Sequence, residues 1–239
     1  MSNLHAYRQL GTNRLLAALP PSEAEWITRL LEPVTLAFKQ VLYEPGQPIA
    51  AVYFPLTCVV SLLVEMHDGR AVEVGTVGKE GMAGLPVFLG VPSTPGRALV
   101  QIPGLALRMP AETLVEQVLR GDGALYHLLQ RYTQALFVQT AQGAACNRLH
   151  TQEQRFCRWM LLTHDRVGSD QFPLTHEFIA QMLGVRRATV SEVAAAVQAS
   201  GLIHYHRGTM NILDRAGLEA ASCECYAVIH AEFERIGGA

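Results

Sequence analysis

Residues 174–193 read Leu174-Thr175-His176-Glu177-Phe178-Ile179-Ala180-Gln181-Met182-Leu183-Gly184-Val185-Arg186-Arg187-Ala188-Thr189-Val190-Ser191-Glu192-Val193. Two helices joined at one glycine account for this stretch. Thr175 suits an N-cap, because its hydroxyl can accept a free first-turn N–H. Glu177 falls in that first turn, where a carboxylate complements the helix dipole. Phe178, Ile179, Met182 and Leu183 recur at helical spacing and make an inner face. Ala180 is small where a second helix must cross closely. Gly184 supplies the left-handed residue that ends the first helix, and Val185 packs the corner. The second helix starts near Arg187, with Val190, Val193 and Val197 inward and Arg186, Arg187, Ala188, Ser191 and Glu192 outward. Such a pair is the DNA-reading helix-turn-helix, whose second helix enters the major groove. The turn pattern alone also fits folds that never touch DNA.

Working outward, residues 199–213 read as strand, tight turn at Arg207-Gly208, and strand, which adds a wing. Arg207 at its tip could touch phosphate. Upstream, Thr151-x-x-Gln154 is a capping box and opens a helix from Gln152 to about Asp165; residues 167–171 read as a loop. From about Ala124 to His150 runs one long helix, with Leu125, Leu128, Leu129, Tyr132, Ala135, Leu136, Cys146 and Leu149 as its apolar positions. A narrow stripe of this kind is either a coiled-coil seam or a core face. A shorter helix, Ala111 to Leu119, precedes it and breaks at Gly121-Asp122-Gly123. Residues 34–109 carry short apolar runs separated by turn signals. The runs are Val34–Phe38, Val52–Phe54, Cys58–Glu65, Ala71–Val77, Ala98–Ile102 and Leu105–Met109. They predict an antiparallel sandwich or roll, with Asp68-Gly69 its strongest hairpin signal. Before them, Ser22 and Glu25 form a second capping-box pattern. It predicts a helix to about Leu31 that Pro33 closes.

Composition agrees with a globular chain of more than one unit: 239 residues, 49% hydrophobic and 17% charged. No run reaches 18 apolar residues, so nothing is expected to span a membrane. The opening residues 1–14 lack a secretion signal's basic-then-apolar layout, and the expected compartment is the cytoplasm. The net charge is −2, yet residues 148–215 carry 8 Arg against 6 acids, the one segment with a positive excess. What matters for nucleic acid is this local distribution rather than the total. Cys58, Cys146, Cys157, Cys223 and Cys225 show no CxxC pair. They read as reduced packing thiols, with no metal site expected. A redox role for Cys223-Glu224-Cys225 finds no nearby group that would lower a thiol pKa. No nucleophile elbow, P-loop or H-E-x-x-H motif occurs, so no enzyme is indicated.

Together these residues resemble the Crp/Fnr regulator family. Leu174-Thr175, Ile179-Ala180, Leu183-Gly184-Val185, Arg187-x-Thr189-Val190 and Gly201-Leu202-Ile203 carry the likeness, which covers nearly the whole chain. The resemblance implies an α+β fold. A cyclic-nucleotide-binding-like β-roll occupies residues 1–123, a dimerisation helix 124–150, and a winged helix-turn-helix 151–239. It implies a homodimer on a palindromic stretch of double-stranded DNA, with RNA polymerase as a further partner. Carried over by position, Arg187 is the first base-contacting residue and Thr189 contacts phosphate. Ser191 and Glu192 face the groove one turn later. Thr175, Arg186, Ala188 and Arg207 complete the expected DNA contacts. Ala188 and Glu192 stand where the cyclic-AMP receptor pattern has glutamate and arginine. Glu192 could accept from cytosine N4 or pair with Arg186 or Arg187.

The effector segment departs further. The family's Gly-Glu-x-Gly-Leu stretch reads Gly81-Met82-Ala83-Gly84-Leu85, with Met82 in place of the acid that holds ribose. The later arginine–hydroxyl pair reads Gly96-Arg97-Ala98. A candidate pocket is therefore Gly81, Met82, Gly84, Leu85, Arg97 and Ala98, with nearby Glu80 a substitute acid off by two positions. Cyclic AMP is disfavoured. A cyclic dinucleotide, another nucleotide-like ligand, a small metabolite or no ligand remain. An iron–sulfur cluster is not expected without N-terminal cysteines, nor haem, since His67 sits in a hairpin turn. The competing reading is a ligand-sensing module with weak or lost sequence-specific DNA binding.

Overall fold

Short apolar runs punctuated by proline and glycine fold into seven strands in the first half of the chain. The computed structural model describes residues 13–236. Helices α1 (Arg14–Ala17) and α2 (Pro21–Thr28) lead into β1 (Glu32–Leu36), β2 (Val41–Tyr43), β3 (Ala51–Pro55), β4 (Val59–Glu65) and β5 (Ala71–Val77). A short α3 (Leu85–Phe88) then precedes β6 (Arg97–Ile102) and β7 (Gly104–Pro110). One sheet has the order β1-β7-β3 and the other β2-β6-β4-β5, every pair antiparallel. Val52, Phe54, Val60, Val77, Ala98 and Met109 are fully buried between them. The Asp68-Gly69 hairpin forms where the sequence places it, with Glu65 opposite Ala71 and Gly69 at φ +80°.

Two expectations fail here. The Ser22/Glu25 capping box does not form. The helix starts at Pro21, with Pro20 at the cap and no side-chain cap bond. Proline is favoured at the first helical position because its missing N–H would be unpaired there, and this puts Ser22 inside the first turn. Glu25 pairs with Arg29 instead. Pro33 closes no helix but lies within β1, opposite Leu107. It is tolerated because β1 is an edge strand, one side of which needs no donor.

The predicted helix from Ala111 begins as α4 (Ala111–Thr113) and continues as a π-helical turn, Leu114–Val118. The long helix α5 (Ala124–Leu149) has 26 residues, about 39 Å at 1.5 Å per residue. Its N-terminus is capped from outside, since the Glu23 carboxylate accepts the N–H groups of Ala124 and Leu125. An anion there also complements the helix dipole. The apolar stripe read from the sequence turns out to be mainly a core face: Leu125, Leu128, Leu129, Tyr132, Ala135 and Cys146 are buried against their own chain. A different face, with Phe137, Ala141, Ala144, Ala145 and Leu149, is largely exposed.

The rest of the chain comprises α6 (Gln152–Val167), β8 (Gln171–Pro173), α7 (His176–Leu183) and α8 (Arg187–Ala199), followed by β9 (Ile203–His206), β10 (Thr209–Ile212), α9 (Arg215–Ala221) and α10 (Cys225–Glu234). The Thr151/Gln154 capping box is present. The segment read as a loop runs into β8, which pairs with β10 and makes the wing a three-stranded sheet, β8-β10-β9. Helix α10 returns along α5, bringing Phe233 to 6.3 Å from Tyr132. Among the described residues no helix is long and apolar enough to cross a membrane. Residues 1–12, most of the stretch read for a secretion signal, lie outside them.

Candidate nucleic-acid interface

Local chemistry sets the helix-turn-helix as the sequence predicts. Thr175 Oγ1 accepts from the Phe178 N–H at 3.2 Å and caps α7. Gly184 ends it at φ +65°, and the Val185 N–H reaches back to the Ala180 carbonyl at 3.0 Å. Arg155 of α6 adds a cation at the same terminus, donating to the Leu183 carbonyl at 2.7 Å. Val190, Ala194 and Val197 bury the inner face of α8, while Val193 is only half-buried. Arg186, Arg187, Ala188 and Glu192 are exposed. Among the described residues none of these charged side chains is in an ion pair, so Glu192 does not neutralise either arginine.

Ser191 and Thr189 are half-buried rather than projecting. The Ser191 hydroxyl donates to the Arg187 carbonyl at 3.1 Å, which leaves its oxygen to accept from His176 Nδ1 at 3.0 Å. His176 also stacks on Tyr205 of β9 with centroids 4.1 Å apart. Burial first, and the Arg187 charge second, hold its pKa below the usual histidine value. His176 thus ties α7, α8 and the wing together as a neutral ring. The sequence reading passed over it, although its place just after a helix cap was visible.

The wing turn has Arg207 at φ +47° and Gly208 at φ +81°, between paired His206 and Thr209. Two left-handed residues make the hairpin turn whose twist suits the strands, a turn that favours Asn-Gly. A left-handed conformation costs an ordinary L-residue about 1–2 kcal/mol. An exposed arginine therefore occupies a strained position that another residue fills more easily. His204 and His206, also exposed on β9, stand beside it.

The helix-turn-helix half is docked on the roll. Phe38 meets Phe178 with centroids 5.5 Å apart. Trp159 Nε1 donates to Glu73 of β5 at 2.6 Å, and Gln101 of β6 donates to Thr163 at 3.1 Å. At the centre lies Arg166, 3% exposed. It donates to the Leu162 and Thr76 carbonyls and, at 2.7 Å, to Gln139 Oε1 of α5. Its Nε stands 2.8 Å from the buried Glu80 carboxylate but has no aligned hydrogen-bond partner, so that contact is a charge pair rather than a directed bond. A cavity of about 190 Å³ lies between β5, α5 and α6, lined in part by Glu73, Gln139 and Trp159.

This geometry agrees with the comparisons. Residues 154–221 match the Crp-like helix-turn-helix domain. The chain therefore carries a Crp-like helix-turn-helix domain in its C-terminal part. Its fold is that of solved relatives at low identity. FixK2 from Bradyrhizobium japonicum superposes with a TM-score of 0.68 at 16% identity, over 81% of this chain and 98% of FixK2. A CRP/FNR-family transcriptional regulator from Thermus thermophilus gives 0.62 at 21%, over 80% and 98%. The c-di-GMP responsive global regulator CLP from Xanthomonas campestris gives 0.57 at 17%, over 88% and 99%. No curated protein matches the chain.

The residues expected to hold an effector are otherwise engaged. Met82 is fully buried and Ala98 likewise. A Cβ on Gly81 would stand 2.3 Å from the Tyr132 ring, and one on Gly84, at φ +101°, 2.9 Å from Val52. These glycines serve close packing against α5 and β3. Leu85 is buried at the start of α3. Arg97 is held between Glu44 at 2.7 Å and Glu65 at 3.4 Å. Glu80, the candidate substitute acid, is the partner of Arg166. His67 is exposed in the hairpin turn.

The cysteines pack inside the fold as the sequence predicts, but three of them gather in one place. All five are buried and unbridged. Cys58 and Cys157 pack among other apolar residues, but Cys146, Cys223 and Cys225 form a cluster of their own outside the main core. Burial, with the neighbouring thiols adding to it, pushes Cys225 up to about 12.

Proposed function

We propose that this protein is a DNA-binding transcription regulator of Crp/Fnr type that acts in the cytoplasm as a homodimer on a two-fold symmetric operator, each protomer laying α8 in the major groove. The observation that carries this is the set of exposed, unpaired Arg186, Arg187 and Glu192 on α8 beside a strained, exposed Arg207 on the wing. Arg187 reads guanine through O6 and N7, and Glu192 accepts from cytosine N4. Arg207 contacts phosphate, and the capped start of α7 at Thr175 lies against the backbone. The exposed apolar face of α5 through Phe137, Ala141 and Ala144 forms the dimer seam. Half-sites then fall about one helical turn apart.

The protein binds this operator without a cyclic nucleotide. Arg97 between two carboxylates presents a net negative group to any phosphate, and the position of the ribose-holding acid is a buried methionine. Selection of bound duplexes from a random pool by untreated protein, at a stated salt concentration, tests both points. A two-fold symmetric motif supports the reading. A motif that emerges only on adding a cyclic nucleotide or dinucleotide, such as the one to which the Xanthomonas protein responds, would overturn the ligand-free part.

A further inference from the structure

Helix α5 ends in a turn that carries Cys146 and His150, one above the other at i and i+4. Cys223 lies in the loop before α10, and Cys225 is the first residue of that helix. The chain brings these four together, although Cys146 and Cys223 are 77 positions apart. Their ligand atoms all lie within 4.8 Å of one another. Cys146 Sγ and Cys223 Sγ are 3.5 Å apart, and Cys225 Sγ is 3.7 Å from His150 Nδ1. Four sulfur and nitrogen donors around one tetrahedral zinc, at about 2.0–2.3 Å each, stand about 3.5–3.8 Å from one another.

We propose that Cys146, His150, Cys223 and Cys225 form a closed Cys3His site for one zinc ion. Three features favour a metal over simple packing. The set is complete, with four donors and therefore no open position, which is the composition of a structural zinc site. The donors are enclosed: Cys146 is fully buried, Cys223 and Cys225 nearly so, and the His150 side chain is 15% exposed. The histidine is also oriented for the task. Its Nε2 meets the Glu224 carboxylate at 3.2 Å, which places the ring proton there and leaves the Nδ1 lone pair facing the thiols. A carboxylate behind a ligating histidine is the usual outer support of a zinc site. The donors lie close enough to suit a single ion rather than a multi-iron cluster. Zinc held here staples the last helix of the DNA-binding half to the end of the long helix.

The test uses untagged full-length protein from zinc-supplemented medium, purified reduced and without any metal-affinity step. Elemental analysis is expected to find about one zinc per chain. Cys225→Ala and His150→Ala should lose it, while Cys58→Ala, outside the cluster, should keep it. Because those variants bear on folding too, Co(II) is added to the metal-free wild-type protein. Sulfur-to-metal charge transfer and the intense visible bands of tetrahedral Co(II) should develop and saturate at one equivalent. A wild-type protein with no zinc above buffer background and no such bands would overturn the proposal. So would a Cys146–Cys223 disulfide in protein whose thiols were blocked at lysis.

Discussion

Substituting Glu80→Gln removes one charge from the centre of the seam between roll and helix-turn-helix half while keeping the side chain's shape. Arg166 keeps its acceptors on Leu162, Thr76 and Gln139, but all three are neutral, and the guanidinium is 3% exposed. What is lost is the Coulomb attraction, about 4 kcal/mol for unit charges near 4 Å at an effective dielectric of 20. Breaking a buried pair on one side typically costs about 3–5 kcal/mol. The Glu73 carboxylate is also within electrostatic range of Arg166 and supplies part of the missing counter-charge, so the lower end applies. A loss of about 3 kcal/mol lowers Tm by roughly 6–12 °C for a chain of this size. Scanning calorimetry at pH 7.5 measures this directly. Arg166→Met added to Glu80→Gln should recover much of the loss, because the uncompensated charge is then gone. A Glu80→Gln protein melting within about 1 °C of the wild type, a change under about 0.5 kcal/mol, would refute the assignment of Arg166–Glu80 as the central pair.

Three further outcomes follow from the site. Arg187→Ala should weaken binding to the selected operator by about 1–3 kcal/mol and relax the preference at one base pair, read by gel shift on operator variants. Arg207→Asn should raise stability by up to about 1 kcal/mol, since asparagine tolerates the left-handed turn. The same change should flatten the salt dependence of DNA binding by about one unit of slope; a more stable wing with unchanged salt dependence would remove Arg207 from the phosphate contacts. Burial raises the Glu73 carboxyl from an ordinary 4.5 to about 7. The folded state therefore holds that proton more tightly than the unfolded chain. Its stabilising effect is full below pH 4.5 and is lost as pH rises through 7, a fall of about 3 kcal/mol. Urea unfolding of Glu73→Gln between pH 5 and 8 should show a flatter profile than the wild type.

The parts of the fold that local chemistry dictates were legible in the sequence. Thr175, Gly184, the Thr151/Gln154 box and the Asp68-Gly69 hairpin need only their neighbours, and all four form as read. Where two local rules compete the reading failed: a proline at the first helical position displaced the Ser22 cap. Strands β2 and β8 have three residues each and owe their existence to partners far along the chain. No periodicity can show in so short a run. The exposed arginines of the interface were visible, but the inward turn of Ser191 depends on His176 across the helix pair. The thiol cluster was hidden for a related reason. Cys223-x-Cys225 shows an unusual spacing, yet its partners sit at the end of a helix that only the return of α10 brings near.

The seam between the two halves has one more property. The chain has two tryptophans. Trp26 is 40% exposed on α2, whereas Trp159 is 3% exposed with its indole N–H on Glu73. Any separation of the helix-turn-helix half from the roll must break that bond and wet the indole. A Trp26→Phe protein would therefore carry a single intrinsic optical gauge of domain separation, its emission moving to longer wavelength as the halves part, with no dye and no cysteine labelling to disturb the thiols.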